Sequence, residues 1–306
     1  MGPMTPPALV VGSASPHLGR ALAQAFGVSP VATKMERFPD GELHIEVPPD
    51  AIRGRRVVLL QTSTPPVGEH LLELLLLADA CWRAGAASLQ AVIPYVGYAR
   101  QDRRARAGEP LGGRLVADLL SHGRFERVFT VDLHNPALEG CFGAPLEHLS
   151  ALPLLAEALR PYVSDTSVVV APDLGAVKRA EALAKLLGRP WAVVHKARLS
   201  GNDVETLGLL GQVRGMRPIL VDDMISTGGT LAAAAKELKG EGCVDDFILA
   251  TTHALLVGPA LERLHGVPVK RLVSTDSVEP RQGVPFPHQV VTLAPLLLRA
   301  LSPDAR

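Results

Sequence analysis

Short apolar runs alternate with longer amphipathic ones along the whole chain. Ala8–Gly12, Val57–Gln61, Leu89–Pro94, Arg127–Asp132, Val168–Ala171, Trp191–His195, Ile219–Asp222 and Phe247–Thr251 are rich in Val, Ile and Leu and read as strands. Between most of them lie Leu18–Phe26, Glu69–Ala84, Gly113–Ser121, Val177–Leu187 and Leu231–Lys239, whose apolar residues recur at helical spacing. Strands that are almost continuously apolar are buried on both faces. The pattern therefore predicts an α/β fold whose parallel sheets are flanked by helices.

The alternation also repeats. Arg56–Gln61, a helix to Gly85 and Leu89–Pro94 run in step with Arg217–Asp222, a helix to Gly242 and Phe247–Thr251, offset by roughly 160 residues. Two similar, Rossmann-like halves are expected, residues 1–147 and 148–282. The Pro- and Leu-rich segment 283–306 is expected to cross back onto the first half. The loops after the matching strands differ. The first reads Gln-Thr-Ser-Thr-Pro-Pro, and the second Asp-Asp-Met-Ile-Ser-Thr-Gly-Gly-Thr.

Composition narrows the classes. With 306 residues, two domains of ordinary size fit. A formal net charge of zero argues against a general nucleic-acid surface. Three widely spaced cysteines, Cys81, Cys141 and Cys243, form neither a disulfide framework nor a zinc pattern, which fits the cytoplasm. No basic stretch precedes an apolar run at the start, so no signal peptide is expected. Leu71–Trp82 is leucine-rich, but Glu73 and Asp79 interrupt it and it is too short to span a bilayer.

The second of the two loops carries the chemistry. Asp222 and Asp223 stand where an apolar strand is expected to end, and Ser226, Thr227, Gly228, Gly229 and Thr230 lead into a helix. Backbone N–H groups at a helix start attract phosphate, glycines allow close approach and hydroxyls add donors. Acids would repel phosphate, so ribose hydroxyls or a magnesium hydration shell are their natural partners. The loop therefore suits a sugar phosphate. It is not a Walker loop, because no Gly-Lys-Ser/Thr completes it.

Other segments fall at strand ends, where ligands of parallel sheets bind. Tyr95–Arg106 carries four arginines within seven residues, Arg100, Arg103, Arg104 and Arg106, beside Asp102; they suit polyphosphate or a solvated charge run. Val131–Pro136 places His134 as a metal or phosphate contact, or as a merely hydrogen-bonded side chain. Asp173 precedes a helix and would cap it in the simplest reading. Lys196 and Arg198 alternate in an extended segment, so they share a face; they suit charge developing on phosphate or a plain exposed hairpin. Arg37–Glu42 reads as a hairpin turn whose Phe38 can stack on a base.

Together these motifs, Phe-Pro-Asp-Gly-Glu, Tyr-Ala-Arg-Gln-Asp-Arg, Asp-Leu-His, Pro-Asp-x-Gly-Ala-x-Lys-Arg, His-Lys-x-Arg and the acidic loop, resemble the ribose-phosphate pyrophosphokinase family. The likeness runs from about Leu9 to Val278. It implies two phosphoribosyltransferase-like domains, with ATP and ribose 5-phosphate as substrates, phosphoribosyl pyrophosphate and AMP as products, and Mg2+ as cofactor. It implies ATP contacts from Phe38, Asp40, Gly41, Glu42, Arg100, Gln101 and Asp102, and magnesium positioning by His134 and Asp173. It further implies ribose 5-phosphate contacts from Asp222, Asp223 and Ser226–Thr230, transition-state contacts from Lys196 and Arg198, a lid at Leu199–Leu210 and a homo-oligomer. One departure is Ser226, where many members carry an acid; it leaves open whether phosphate activates and ADP inhibits. Two rivals remain. A phosphoribosyltransferase would explain the acidic loop but not the arginine-rich segment. A non-catalytic regulatory homologue would be expected to lack Lys196 and Arg198.

Overall fold

The computed structural model describes residues 6–200 and 203–302, the side chains of 196–207 excepted. The chain forms two compact units. Unit 1 comprises Met1–Ser150, Ser277–Glu279 and Thr292–Arg306; unit 2 comprises Ala151–Asp276 and Pro280–Val291. The segment expected to run as one piece from residue 283 is thus divided, because Pro280–Val291 stays with unit 2.

Unit 1 runs β1 (Ala8–Val11), α1 (Pro16–Phe26), β2 (Lys34–Arg37), β3 (Leu43–Glu46), α2 (Pro49–Ile52), β4 (Arg56–Leu60), α3 (Val67–Arg83), β5 (Ser88–Val92), α4 (Gly112–Leu120), β6 (Arg127–Val131) and β7 (Leu146–Leu149). Its parallel sheet has the order β1-β4-β5-β6-β7, and β2 and β3 form a separate hairpin. Unit 2 runs α5 (Leu152–Leu159), β8 (Ser167–Ala171), α6 (Val177–Leu187), β9 (Trp191–Ser200), β10 (Asp203–Leu210), β11 (Arg217–Met224), α7 (Gly229–Gly240), β12 (Phe247–His253), α8 (Ala260–His265), β13 (Val269–Thr275) and β14 (His288–Val291). Its sheet has the order β10-β9-β8-β11-β12-β13-β14 and is parallel except for β10. Then α9 (Ala294–Leu301) packs on α1 in unit 1.

The apolar strands explain the layering. Successive strand residues point to opposite faces. In unit 2, Val168, Val170 and Leu220 join one core with Leu231 and Leu238 of α7 and Leu264 of α8. Their neighbours Val169, Ile219 and Val221 join the other with Leu155 of α5 and Leu183 of α6. Each such side chain, removed from water, contributes about 1.5–3 kcal/mol. The sheet is thereby rigid in its middle, and its C-terminal strand ends carry the loops where chemistry can sit.

Candidate active site

In unit 2 the strand preceding the acidic loop is longer than its apolar run. β11 continues through Asp222 and Asp223 to Met224, because its backbone keeps pairing with Thr251 and His253 of β12. Pairing needs only backbone groups, so polar side chains do not end it. Asp222 is half-buried and Asp223 buried, and Asp222 Oδ1 accepts from the Asp223 N–H at 2.8 Å.

Burial, and then the nearby carboxylates of Asp223 and Asp173, hold the Asp222 carboxyl well above the usual range. Asp173 caps the turn Leu174–Ala176, its Oδ1 accepting from the N–H groups of Gly175 (2.9 Å) and Ala176 (3.2 Å). Its capping role is thus real, and it stands close enough to raise Asp222 as well. Three acids in one neighbourhood are an arrangement that a cation or a set of hydroxyl donors relieves.

After Met224 the chain turns into α7, pinned from one side only. Ile225 N–H donates to His253 O (2.9 Å), Val257 N–H to Ser226 O (2.9 Å) and Arg263 Nη1 to Thr227 O (3.1 Å). Gly228 has φ +73°, and a Cβ there would lie 3.3 Å from Ala260 O. The first helical bond is Ala232 N–H to Gly228 O. Among the described residues, the N–H groups of Thr227, Gly228, Gly229 and Thr230 have no acceptor, and the hydroxyls of Ser226, Thr227 and Thr230 have no hydrogen-bond partner. Donors that converge on a helix start and face water suit an anion.

Lys196 and Arg198 belong to β9, where the backbone register pairs Lys196 with Leu207 and Arg198 with Glu205. Their side chains lie outside the described residues, as do parts of the expected lid Leu199–Leu210.

In unit 1, Phe38–Glu42 closes the β2–β3 hairpin. Phe38 N–H donates to Glu42 O and Gly41 N–H to Phe38 O, both at 2.9 Å, with Gly41 at φ +93°. Asp40 Oδ1 accepts from Glu42 N–H (3.1 Å), and Arg37 Nη1 donates to Gly41 O. The Phe38 ring is 48% exposed and rests at 5.1 Å on His44.

The arginine-rich loop follows β5. Gln101 is held by its backbone, N–H to Tyr98 O and O from Gly113 N–H. A Cβ on Gly112 would stand 2.4 Å from Gln101 Oε1, so a larger residue there would push the Gln101 side chain aside. Arg100, Arg103, Arg104 and Arg106 have no carboxylate partner among the described residues. Asp102 Oδ2 accepts from Asn135 Nδ2 at 2.5 Å.

His134 is exposed just beyond β6, after Leu133, whose N–H donates to His148 Nε2 at 2.8 Å. Buried Asp132 sits at φ +41°, a left-handed conformation that costs a non-glycine residue about 1–3 kcal/mol. Strain of this kind clusters at functional turns, and spacing alone gave no sign of it. Asn135 and Arg263 also escaped the reading of motifs. The Asn-Pro pair at 135–136 was the available signal for Asn135, as a turn starter.

The structure therefore gathers Phe38, Asp40, Gly41 and Glu42 in one hairpin, and Arg100, Gln101 and Asp102 in one loop tied to the His134 segment. It gathers Asp173, Asp222, Asp223 and Ser226–Thr230 at one end of the unit 2 sheet. His134 belongs to unit 1 and Asp173 to unit 2. Among the described residues, no three His, Cys, Asp or Glu side chains form a ready-made metal cage.

Comparison with known proteins agrees over nearly the whole chain. The profile for the N-terminal domain of ribose phosphate pyrophosphokinase matches residues 8–123, and that for the phosphoribosyl transferase domain matches residues 154–289. A ribose-phosphate pyrophosphokinase of Caldanaerobacter subterraneus subsp. tengcongensis is 40% identical over 96% of this chain and 93% of its own. One from Bacillus subtilis is 38% identical over 94% and 91%. The crystal structure of phosphoribosylpyrophosphate synthetase from Mycobacterium smegmatis superposes with a TM-score of 0.89 at 35% identity, covering 97% of both chains.

Proposed function

The chain belongs to the ribose-phosphate pyrophosphokinase family, and on that premise we propose how its residues carry the reaction. It is a diphosphokinase. The 1-hydroxyl of ribose 5-phosphate attacks the β-phosphorus of ATP in line. A new C1–O–Pβ link forms, the Pα–O–Pβ bridge breaks, its oxygen leaves with AMP, and the proton of the 1-hydroxyl is released to solvent. Such transfers demand positioning and charge neutralisation more than covalent help.

The observation that carries the assignment is the open donor set from Ser226 to Thr230 beside Asp222 and Asp223. The donors bind the 5-phosphate and the acids accept from ribose hydroxyls. Phe38 stacks on adenine, with Asp40, Gly41 and Glu42 shaping its hairpin. Arg100 and Gln101 take the phosphates, and Lys196 and Arg198 meet the charge that develops on them.

Magnesium fits this chain, because Asp222, Asp223 and Asp173 crowd negative charge that a cation relieves. Asp173 in unit 2 and His134 in unit 1 would each offer it few direct contacts, as suits an ion that keeps its water. Bound there, it would supply neutralisation of the transferring phosphates.

A homo-oligomer working in the cytoplasm is the proposed state. Exposed Leu72 and Trp82 of α3, with Leu115 and Leu119 of α4, support it. No helix among the described residues is long and apolar enough to cross a membrane.

The test is phosphorus NMR of the protein with ATP, ribose 5-phosphate and magnesium. AMP and phosphoribosyl pyrophosphate are expected in equal amounts. ADP as the nucleotide product would overturn the diphosphoryl transfer.

A further inference from the structure

Asp102 lies among Arg100, Arg103, Arg104 and Arg106, yet its carboxylate pairs with none of them. Its Oδ2 accepts instead from the Asn135 amide at 2.5 Å. The same Asn135 caps the turn Pro136–Cys141, its Oδ1 accepting from Ala137 N–H at 3.0 Å. One amide thus joins the arginine loop to the segment that follows His134. The only other acid in the loop region, Glu109, is also occupied: its Oε2 accepts from the N–H groups of Ala105 and Arg106. All four guanidiniums are left without an internal counter-ion among the described residues.

The partner's chemistry matters. A carboxylate a few residues from four arginines gains most by pairing with one of them bidentately. An arginine so paired is neutralised and turned away from phosphate. A neutral amide satisfies the carboxylate without consuming a cation.

We propose that Asn135 is a positioning residue for the ATP phosphates, holding Asp102 aside so that the loop arginines stay free. The inference rests on the reading that this loop binds ATP, through Arg100 in particular. Asp102 then acts through Asn135 rather than on the nucleotide.

Asn135→Ser keeps a side-chain oxygen that caps the turn and removes the amide donor. It should raise KM for ATP about tenfold, leaving kcat and KM for ribose 5-phosphate within about twofold. Adding Asp102→Asn removes the competing carboxylate and should bring KM for ATP back to within about threefold of the parent. A purely structural role for Asn135 predicts no such recovery. KM for ATP unchanged in Asn135→Ser at an unchanged melting temperature, or raised and not recovered in the double variant, overturns the proposal. Arg100→Ala separates the premise: unchanged KM for ATP in that variant removes the ATP reading itself. If Asn135→Ser melts early, Asn135→Asp offers the same comparison, because it keeps the cap and sets a repelling carboxylate against Asp102.

Discussion

Two loops of this protein occupy equivalent places, after β4 and before α3 in unit 1, and after β11 and before α7 in unit 2. Both are rich in hydroxyls. In the first, Ser63 Oγ donates to Tyr95 O and accepts from Gly97 N–H, each at 2.7 Å. Thr62 Oγ1 donates to Ser277 O (2.9 Å) and accepts from Tyr95 N–H (3.2 Å). Gln61 Oε1 takes the Ala14 N–H, and Ser15 Oγ takes that of Thr62. Pro65 and Pro66 bring no N–H at all. In the second, the hydroxyls and N–H groups of Thr227 and Thr230 remain open, and the neighbouring loop binds only carbonyls. A strand–loop–helix can take a ligand only while its donors are unspent. The first loop has turned the same chemistry into a buried latch.

Asp223→Asn removes a carboxylate from the second loop. It should lower kcat/KM for ribose 5-phosphate by about 10²–10³, or about 3–4 kcal/mol, with the melting temperature nearly unchanged. Steady-state kinetics at varied ribose 5-phosphate measures this, and a loss confined to stability would remove the site role.

Ser63→Ala acts on the latch. Two buried bonds go, costing about 1–3 kcal/mol of stability by denaturant titration, while KM for ribose 5-phosphate should stay within about twofold. A matching rise in KM would erase the distinction between the loops.

The smallest effect is one of pH. Because the folded chain holds the Asp222 proton to higher pH than the unfolded chain does, stability falls as pH rises between the two titrations. Asp222→Asn should therefore melt higher than the parent at pH above that interval. The gap should close as pH falls below the ordinary carboxylate range. A gap constant with pH would show that charge at Asp222 is not the cause.

Much of this was legible in the residues. Ile219, Leu220 and Val221 read as a doubly buried strand, and side chains on both of its faces enter two cores. The acidic loop and the arginine run stood out because no ordinary cap or turn requires so many donors or cations. Other features were not legible. β7, β13 and β14 carry polar or mixed residues and exist because neighbouring strands offer backbone partners. The extension of β11 through Asp222 and Asp223 has the same cause. The contact between Asn135 and Asp102 spans 33 positions, and no local spacing encodes it.

Periodicity by itself determined the fold class and the repeat, because burial and backbone geometry act locally and leave a regular trace; the ordered motifs, not the periodicity, carried the resemblance to the family. Only the tertiary structure decided which polar groups are spent. Ser63 and Ser226 are the same residue in similar surroundings along the chain. Whether a hydroxyl faces a buried carbonyl or open solvent depends on what distant segments bring beside it.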